Sequence, residues 1–336
     1  MTLTYVCTLD LPDTWFAGLA QRVPGLDLHR FPAGQEPPAD LLARTDLLHT
    51  SAWFPDAESV PNLRAIQLDT SGVDHVRRTS LWSTGIPIAT LGGIAPVPMA
   101  EYAMMSMLEL AHRMPLIEQL RASRTWPGDA ERLATLTPRN LVGATVGIIG
   151  YGRIGREISR LATAFGMRVL GLKRTAGKSD GTAKFDTGRS SSTDVDAAEV
   201  YPMDRLADVV SQSDILVVVV PLTDLTRGMI GDAELALLPP GAYVINIARG
   251  GIVDEDALQR RLRSGHLGGV ALDVFDDEPL PADSPWWNEP GALITPHVAG
   301  LAPEYQSQTL DLVVENLTRL ADGQPLLNEV DRVSGY

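Results

Sequence analysis

The sequence predicts an α/β protein built from two doubly wound, parallel-sheet domains, and three observations carry that prediction. Its 336 residues are too many for one simple core and suit two domains at roughly 150 residues each. Short apolar runs alternate with segments of helical period, the pattern of strands joined by crossover helices. Residues 144–156 read Ala-Thr-Val-Gly-Ile-Ile-Gly-Tyr-Gly-Arg-Ile-Gly-Arg: an apolar run ends in Gly150-x-Gly152-x-x-Gly155 and passes into a segment with Ile158, Leu161, Ala162 and Phe165 at helical spacing. A strand turning this tightly into a helix is the Rossmann-like, dinucleotide-binding fingerprint. Gly150 permits the sharp turn, Gly152 lets a pyrophosphate approach the backbone, and Gly155 lets the helix pack closely on the strand. The helix N-terminus then faces the anion.

The other elements follow in chain order. Residues 3–8, 46–49 and 63–68 read as strands of the first domain. Residues 70–76, Thr-Ser-Gly-Val-Asp-His-Val, come directly after a strand. Gly72 there lets backbone amides face a small anion such as a carboxylate, although an ordinary strand-to-helix turn would read the same way. Residues 87–98 are rich in glycine and proline, which suits a hinge or a domain crossover. From 99 to 120, Ala103, Met107, Leu110, Met114 and Ile117 mark one face of a helix that Pro115 is expected to kink; its methionines fit a core better than a cofactor site. Residues 121–140 are polar and irregular, with Trp126-Pro127-Gly128 as a turn. They form either an arm around a partner subunit or a plain surface loop. Residues 167–172 are the strand after the glycine turn, and 176–199 an insertion rich in Gly, Ser, Thr and Asp near the adenosine end. Residues 214–220, apolar without a break from Ile215, are a buried parallel strand, followed by strands at 243–248, 269–274 and 292–295 and a return helix over 304–320.

Composition narrows the function. A formal net charge of -14 repels nucleic acid and anionic membrane surfaces at long range. The single cysteine, Cys7, excludes an internal disulfide, and no apolar run is long enough to span a bilayer. The N-terminal residues lack the basic region and apolar core of a secretion signal, so a cytoplasmic protein is expected. The only three lysines, Lys173, Lys178 and Lys184, all follow the nucleotide motif. An acid at the end of the 167–172 strand would bind the ribose hydroxyls and repel a ribose phosphate. Lys173-Arg174-Thr175 stands there instead, and arginine's fork of donors suits a phosphate. NADP(H) is therefore expected in preference to NAD(H), with NAD(H) use possible.

Strands of a doubly wound sheet present their carboxyl ends to the ligand crevice. Three residues sit just past such ends: Arg249 in Ile-Ala-Arg-Gly-Gly, Glu278 in Asp-Val-Phe-Asp-Asp-Glu-Pro, and His297 in Thr-Pro-His-Val-Ala-Gly. Singly, each reads equally well as a structural ion pair, a solvated acid or a core histidine. Together they suit hydride transfer to a 2-keto acid. Arg249 clamps the carboxylate and the carbonyl oxygen, His297 donates the proton to the forming alkoxide, and Glu278 favours the imidazolium and orients its ring. The hydride belongs to the cofactor.

On these motifs the chain resembles the D-isomer-specific 2-hydroxyacid dehydrogenase family, with a pattern similar to its NADP-dependent glyoxylate/hydroxypyruvate reductases. The resemblance covers 70–76, 99–113, 147–156, 219–230, 247–254, 271–280 and 295–300 in the family's order. It implies Arg249, Glu278 and His297 as the catalytic set, and substrate carboxylate contacts from the amides of Ser71 and Gly72. For the cofactor it implies Arg153 and Ile154 at the pyrophosphate beside Gly150, Gly152 and Gly155. It also implies Val220, Pro221 and Thr226 toward the adenine, Ile247 and Ala248 beside the arginine, Asp273 at the nicotinamide amide, and Met104, His297 and Gly300 among the contacts. It further implies a discontinuous substrate domain (1–98 plus 302–336) around a dinucleotide-binding domain (99–301), a homodimer, and a product of D configuration. Lys173 replaces the ribose-binding acid of NAD-dependent members, and the 176–199 insertion is longer than usual.

Two other readings share these features. A formate or phosphite dehydrogenase has the same fold, but formate dehydrogenases pair the histidine with glutamine where this chain has Glu278. A dinucleotide-sensing, corepressor-like binding protein would use the fold for protein interaction, but the chain has no long tails of disordered composition. For the substrate, Trp53 and Phe54, and Trp286 and Trp287, are pocket residues or else core or dimer contacts. Small acids such as glyoxylate and hydroxypyruvate, and larger ones such as phenylpyruvate, both remain open.

Overall fold

The structure is a computed structural model and describes residues 2–174, 185 and 198–332. Among these the chain divides into two compact units. The first runs to Ile94, takes in Phe185 and resumes at Ala302; the second spans Ala95 to Leu301 apart from that excursion.

In the first unit, strands β1 (Thr4–Cys7), β2 (Asp27–Arg30), β3 (Leu47–Thr50), β4 (Ala65–Leu68) and β5 (Ile88–Ala89) form one sheet in the order β2-β1-β3-β4-β5. Every pair in it is parallel. Alternate side chains go to opposite faces, as the pleat demands. Tyr5, Cys7, Leu47 and Ala65 pack under Trp15, Phe16 and Leu19 of the helix Asp13–Arg22 and Val313 and Leu317 of the helix Tyr305–Ala321. Val6, Leu48, Ile66 and Leu68 face Leu41, Leu42, Val76 and Leu81.

The second unit holds β6 (Thr145–Ile149), β7 (Arg168–Lys173), β8 (Ala198–Pro202), β9 (Ile215–Val218), β10 (Ala242–Asn246), β11 (Leu267–Leu272) and β12 (Ala292–Ile294), in the order β12-β11-β10-β9-β6-β7-β8 and parallel throughout. Within the sheet this is the Rossmann order, extended by one strand, and its direction reverses between β6 and β9, where the fold places a dinucleotide. β9 is the apolar centre: Ile215, Leu216, Val217 and Val218 are each fully buried, each contributing roughly 1.5–3 kcal/mol of transfer free energy. Helices Pro96–Ala111 and Arg153–Ala164 cover one face through Ala103, Met107, Leu110, Ile158 and Ala162.

Several sequence expectations need correction. The helix expected over 99–120 is two helices, Pro96–Ala111 and Met114–Ala122, separated by Arg113 at φ 58°. Pro115 has no N–H for the carbonyl of Ala111 and would clash with it; the N–H of Arg139 satisfies that carbonyl instead, at 3.0 Å. The stretch 121–140 is not wholly irregular, because Asp129–Thr135 is helical. Three strands escaped the pattern. β2 reads Asp-Leu-His-Arg on a sheet edge, β5 has two residues inside the proline-rich crossover, and β8 begins inside the 176–199 insertion. Most of that insertion, with Thr175, Lys178 and Lys184, lies outside the described residues. No helix among the described residues is long and apolar enough to cross a membrane.

Candidate active site

The glycine turn has the geometry its residues dictate. Gly150 sits at φ 113°, and a Cβ there would lie 2.5 Å from the carbonyl oxygen of Val219. A Cβ on Gly155 would lie 2.3 Å from the carbonyl oxygen of Gly150, so only glycine allows this helix to approach this strand. At Gly152 a Cβ would meet nothing within 4 Å, which leaves the backbone open on the side where the helix Arg153–Ala164 begins. Arg153 and Ile154 open that helix, whose N-terminal amides suit a pyrophosphate. Lys173 closes β7, and Arg174 follows it on the surface. Across the switch point, Val220 is buried, and the hydroxyl of Thr226 donates to the carbonyl of Pro221 at 2.6 Å, bracing the loop after β9. These residues fit a dinucleotide, and the cationic end of β7 fits one that carries a ribose phosphate.

The three chemistry-bearing side chains come from the loops after β10, β11 and β12. Ile247 and Ala248 are buried, and the Asn246 carboxamide straps the turn: it accepts from the N–H of Ala248 at 3.1 Å and donates to the carbonyl of Arg249 at 3.3 Å. The Arg249 guanidinium donates to the carbonyl of Ala248 at 2.7 Å. Gly250 follows because a Cβ there would lie 2.0 Å from the carbonyl oxygen of Phe275. The loops after β10 and β11 are thus in direct backbone contact. The N–H of Gly251 donates to the Asp276 carboxylate, the N–H of Asp276 donates to Glu255 at 2.6 Å, and the indole of Trp286 donates to the same Glu255 at 2.8 Å. Burial pushes the Glu255 carboxyl up.

Glu278 accepts two hydrogen bonds, one on each oxygen: from the N–H of Phe275 at 3.0 Å and from His297 Nδ1 at 2.8 Å. With Nδ1 engaged, the ring's other nitrogen is the one left for chemistry. His297 has φ 54°, an unfavourable conformation for a non-glycine residue, and Asp273 holds it there. The Asp273 carbonyl accepts the N–H of His297 at 2.9 Å. Its carboxylate accepts from the Thr295 hydroxyl at 2.6 Å and from the N–H groups of Val298 and Ala299 at 2.8 and 2.9 Å. The Tyr102 hydroxyl, pushed up in pKa by burial, lies 2.6 Å from that of Thr295.

In the first unit the substrate-loop candidates follow β4. The N–H of Asp69 donates to the carbonyl of Thr50 at 3.0 Å, the carbonyl of Thr70 accepts from Leu91 at 3.0 Å, and the Thr70 hydroxyl closes onto the carbonyl of Gly72 at 2.8 Å. Among the described residues, the N–H groups of Ser71 and Gly72 have no protein acceptor, the condition for receiving an anion. Trp53 packs half-buried on the core beneath, its carbonyl accepting from the Thr50 hydroxyl at 2.7 Å.

The structure separates the tryptophans. Trp286 is buried and structural, whereas Trp287 is half-exposed and bonded to the carbonyl of Pro281. Met104 lies in the core of the second unit, and a Cβ on Gly300 would meet Ala95 at 3.6 Å and Met99 at 4.0 Å. Sequence reasoning missed the two supports of the site: the Glu255–Asp276–Trp286 brace, whose acids looked like solvated surface, and the several bonds that Asp273 makes to the histidine turn.

The model of the family described as "D-isomer specific 2-hydroxyacid dehydrogenase, NAD binding domain" matches residues 104–299. The chain is 29% identical to the glyoxylate/hydroxypyruvate reductase A of Serratia proteamaculans over 334 residues, 96% of each chain. It is 35% identical to the (S)-sulfolactate dehydrogenase of Chromohalobacter salexigens over 268 residues, 80% of this chain and 79% of that one. Among solved structures, a D-isomer specific 2-hydroxyacid dehydrogenase from Xanthobacter autotrophicus in complex with NADPH superposes with TM-score 0.82, at 29% identity over 100% of both chains. An NADPH-dependent glyoxylate/hydroxypyruvate reductase from Sinorhizobium meliloti, in complex with NADP and sulfate, does so with TM-score 0.80, at 28% identity over 100% of both.

Proposed function

The chain belongs to the D-isomer specific 2-hydroxyacid dehydrogenase family, and from that membership we propose that it reduces a 2-keto acid to a 2-hydroxy acid, reversibly, at the expense of NADPH in preference to NADH. The observation that carries this reading is the His297–Glu278 contact at 2.8 Å, on the same sheet edge as the Arg249 loop. Arg249 holds the carboxylate and draws electron density toward the carbonyl oxygen. His297, its Nδ1 proton held by Glu278, gives a proton to that oxygen as it becomes an alkoxide and takes it back in the reverse direction. When bound, the reduced nicotinamide supplies the hydride. The Ser71 and Gly72 amides are the proposed further partners of the carboxylate, and Trp53 is a proposed pocket residue. Asp273 keeps His297 in register whatever further contact it makes.

NADPH preference rests on Lys173 and Arg174 at the end of β7 and on the NADPH- and NADP-bound relatives. We further propose a cytoplasmic homodimer: Trp126 and Leu133, 85% and 74% exposed in the 121–140 stretch of the second unit, supply apolar area for a second copy. Sedimentation reports that state directly.

The test is loss of reduced-nicotinamide absorbance with NADPH and with NADH across glyoxylate, hydroxypyruvate, 3-sulfopyruvate and phenylpyruvate. Turnover favouring NADPH supports the reading. The double variant Lys173→Ser/Arg174→Ser should raise KM for NADPH by roughly 10- to 100-fold, the worth of one or two charge-assisted contacts, and change KM for NADH less than about threefold on the same reasoning. Equal losses with both cofactors would refute the phosphate contact. Absence of turnover with every acid would refute the reductase.

A further inference from the structure

One buried ionisable cluster takes no part in the chemistry above. His49 lies on β3, fully buried on the face of the first sheet that the helices Asp13–Arg22 and Tyr305–Ala321 cover. Its Nδ1 is 2.6 Å from the Tyr5 hydroxyl, its ring 5.7 Å from that of Trp15, and its Nε2 3.5 Å from Oδ1 of Asp69. That last separation is an ion contact, too long for a well-formed hydrogen bond, and both atoms are otherwise without a partner. Burial pushes the imidazole down, but the contacts with Asp69 and Cys7 outweigh it and bring the pKa to about 9. The Tyr305 hydroxyl is 3.5 Å from the Asp69 carbonyl.

A buried ion pair is a poor device for stability, because desolvating both charges offsets most of their attraction. An apolar side chain at position 49 would serve the core as well. The location of the pair is therefore the informative fact. Asp69 is the residue from which the 70–72 loop departs, two and three positions before the Ser71 and Gly72 amides. A carboxylate there with no counter-charge would repel any anion those amides received.

We infer that His49 is a positioning residue for substrate: its contact with Asp69 cancels the charge at the root of the 70–72 loop, so that the amides of Ser71 and Gly72 can receive the carboxylate of a 2-keto acid. The inference rests on the proposed role of those amides. It also predicts a signature that a mere packing role lacks, since removing both charges restores what removing one destroys.

The experiment compares wild type, His49→Gln, Asp69→Asn and His49→Gln/Asp69→Asn, each checked for NADPH affinity and thermal unfolding. Glutamine at 49 can accept from the Tyr5 hydroxyl and donate to Asp69, where the imidazolium donates to both, but it carries no charge. KM and kcat for the best keto acid are read together with the Kd of oxalate, an unreactive carboxylate probe, for the cofactor-loaded protein by tryptophan fluorescence. In His49→Gln, KM and the oxalate Kd should rise roughly tenfold, the effect of one uncompensated nearby charge, while kcat and NADPH affinity hold. In the double variant both should return to within about threefold of wild type on the same electrostatic ground. Unchanged oxalate binding in His49→Gln, failure of the double variant to recover, or no oxalate binding by wild type would each overturn the inference. Oxalate binding with the charge signature but no turnover of any keto acid would overturn the reductase reading alone. If His49→Gln does not fold, Asp69→Asn decides: oxalate should then bind at least as tightly as to wild type, and weaker binding overturns the inference.

Discussion

Replacing Glu278 by glutamine tests the proton donor with a change of very few atoms. Glu278 accepts on both oxygens, from the N–H of Phe275 at 3.0 Å and from His297 Nδ1 at 2.8 Å. Glutamine has one oxygen and one NH2 to offer. With its oxygen kept on Phe275, the NH2 faces Nδ1 and favours the tautomer in which Nδ1 is bare; the ring's only proton then sits on the nitrogen facing the substrate, and giving it up would leave an imidazolate. With the amide turned round, the N–H of Phe275 meets another donor and the 275–278 turn is displaced. General acids of this kind contribute about 10²–10⁴-fold. The His297 and Glu278 side chains are 44% and 36% exposed, so water substitutes in part for the lost partner and the low end applies: about 100-fold in kcat, or about 2.7 kcal/mol of barrier. The assay is kcat and kcat/KM for the keto acid between pH 5 and 9 at saturating NADPH, with NADPH affinity measured separately by fluorescence. A variant that keeps a third or more of wild-type kcat would refute the proton-donor argument. A loss of NADPH affinity parallel to the loss of rate would show that the substitution deformed the turn instead.

Two further outcomes follow from the geometry. Gly155→Ala puts a methyl group 2.3 Å from the Gly150 carbonyl oxygen, a backbone atom that cannot swing aside, so the variant should lose a few kcal/mol of stability and bind NADPH at least about tenfold more weakly; thermal unfolding and a fluorescence titration report both, and wild-type values would mean the helix has room to slide. The His49 imidazole, brought to about 9 from an unfolded value near 6.5, contributes stability that is complete below about pH 6.5 and fades as pH rises through 9, on the order of 3 kcal/mol at most; the unfolding temperature should fall across that window in wild type and stay flatter in His49→Gln, and identical pH profiles would refute the linkage.

The fold was legible where burial is two-sided. β9 and β10 are apolar at nearly every position because both faces of the sheet are covered, and the glycine turn is readable because three backbone positions there forbid a side chain or need its absence. The edges were not legible: β2 carries Asp27, His29 and Arg30, residues that a strand tolerates only where one side is wet. The break at Arg113 was visible as a proline signal but not as a break, because the apolar period runs straight through it. In the candidate site, Arg249, Glu278 and His297 stood out by their place after strand ends. Their supports did not: Glu255 and Asp276 look like surface acids until the chain brings N–H donors to them, and no spacing in the sequence announces either that or the bonds Asp273 makes to the histidine turn. His49 was invisible for the same reason, its partners Tyr5 and Asp69 lying 44 positions before it and 20 after it in the chain.

His297 stands where the backbone would prefer glycine or asparagine, at φ 54°. Holding a bulky residue there costs on the order of 1–3 kcal/mol, a sum that glycine would recover outright. On its proposed role as proton donor, selection for thermal robustness alone would erode the histidine, whereas selection for turnover would retain it. Random libraries screened for heat resistance should therefore be enriched in inactive changes at this one codon, whereas libraries screened for activity should recover their stability elsewhere in the chain.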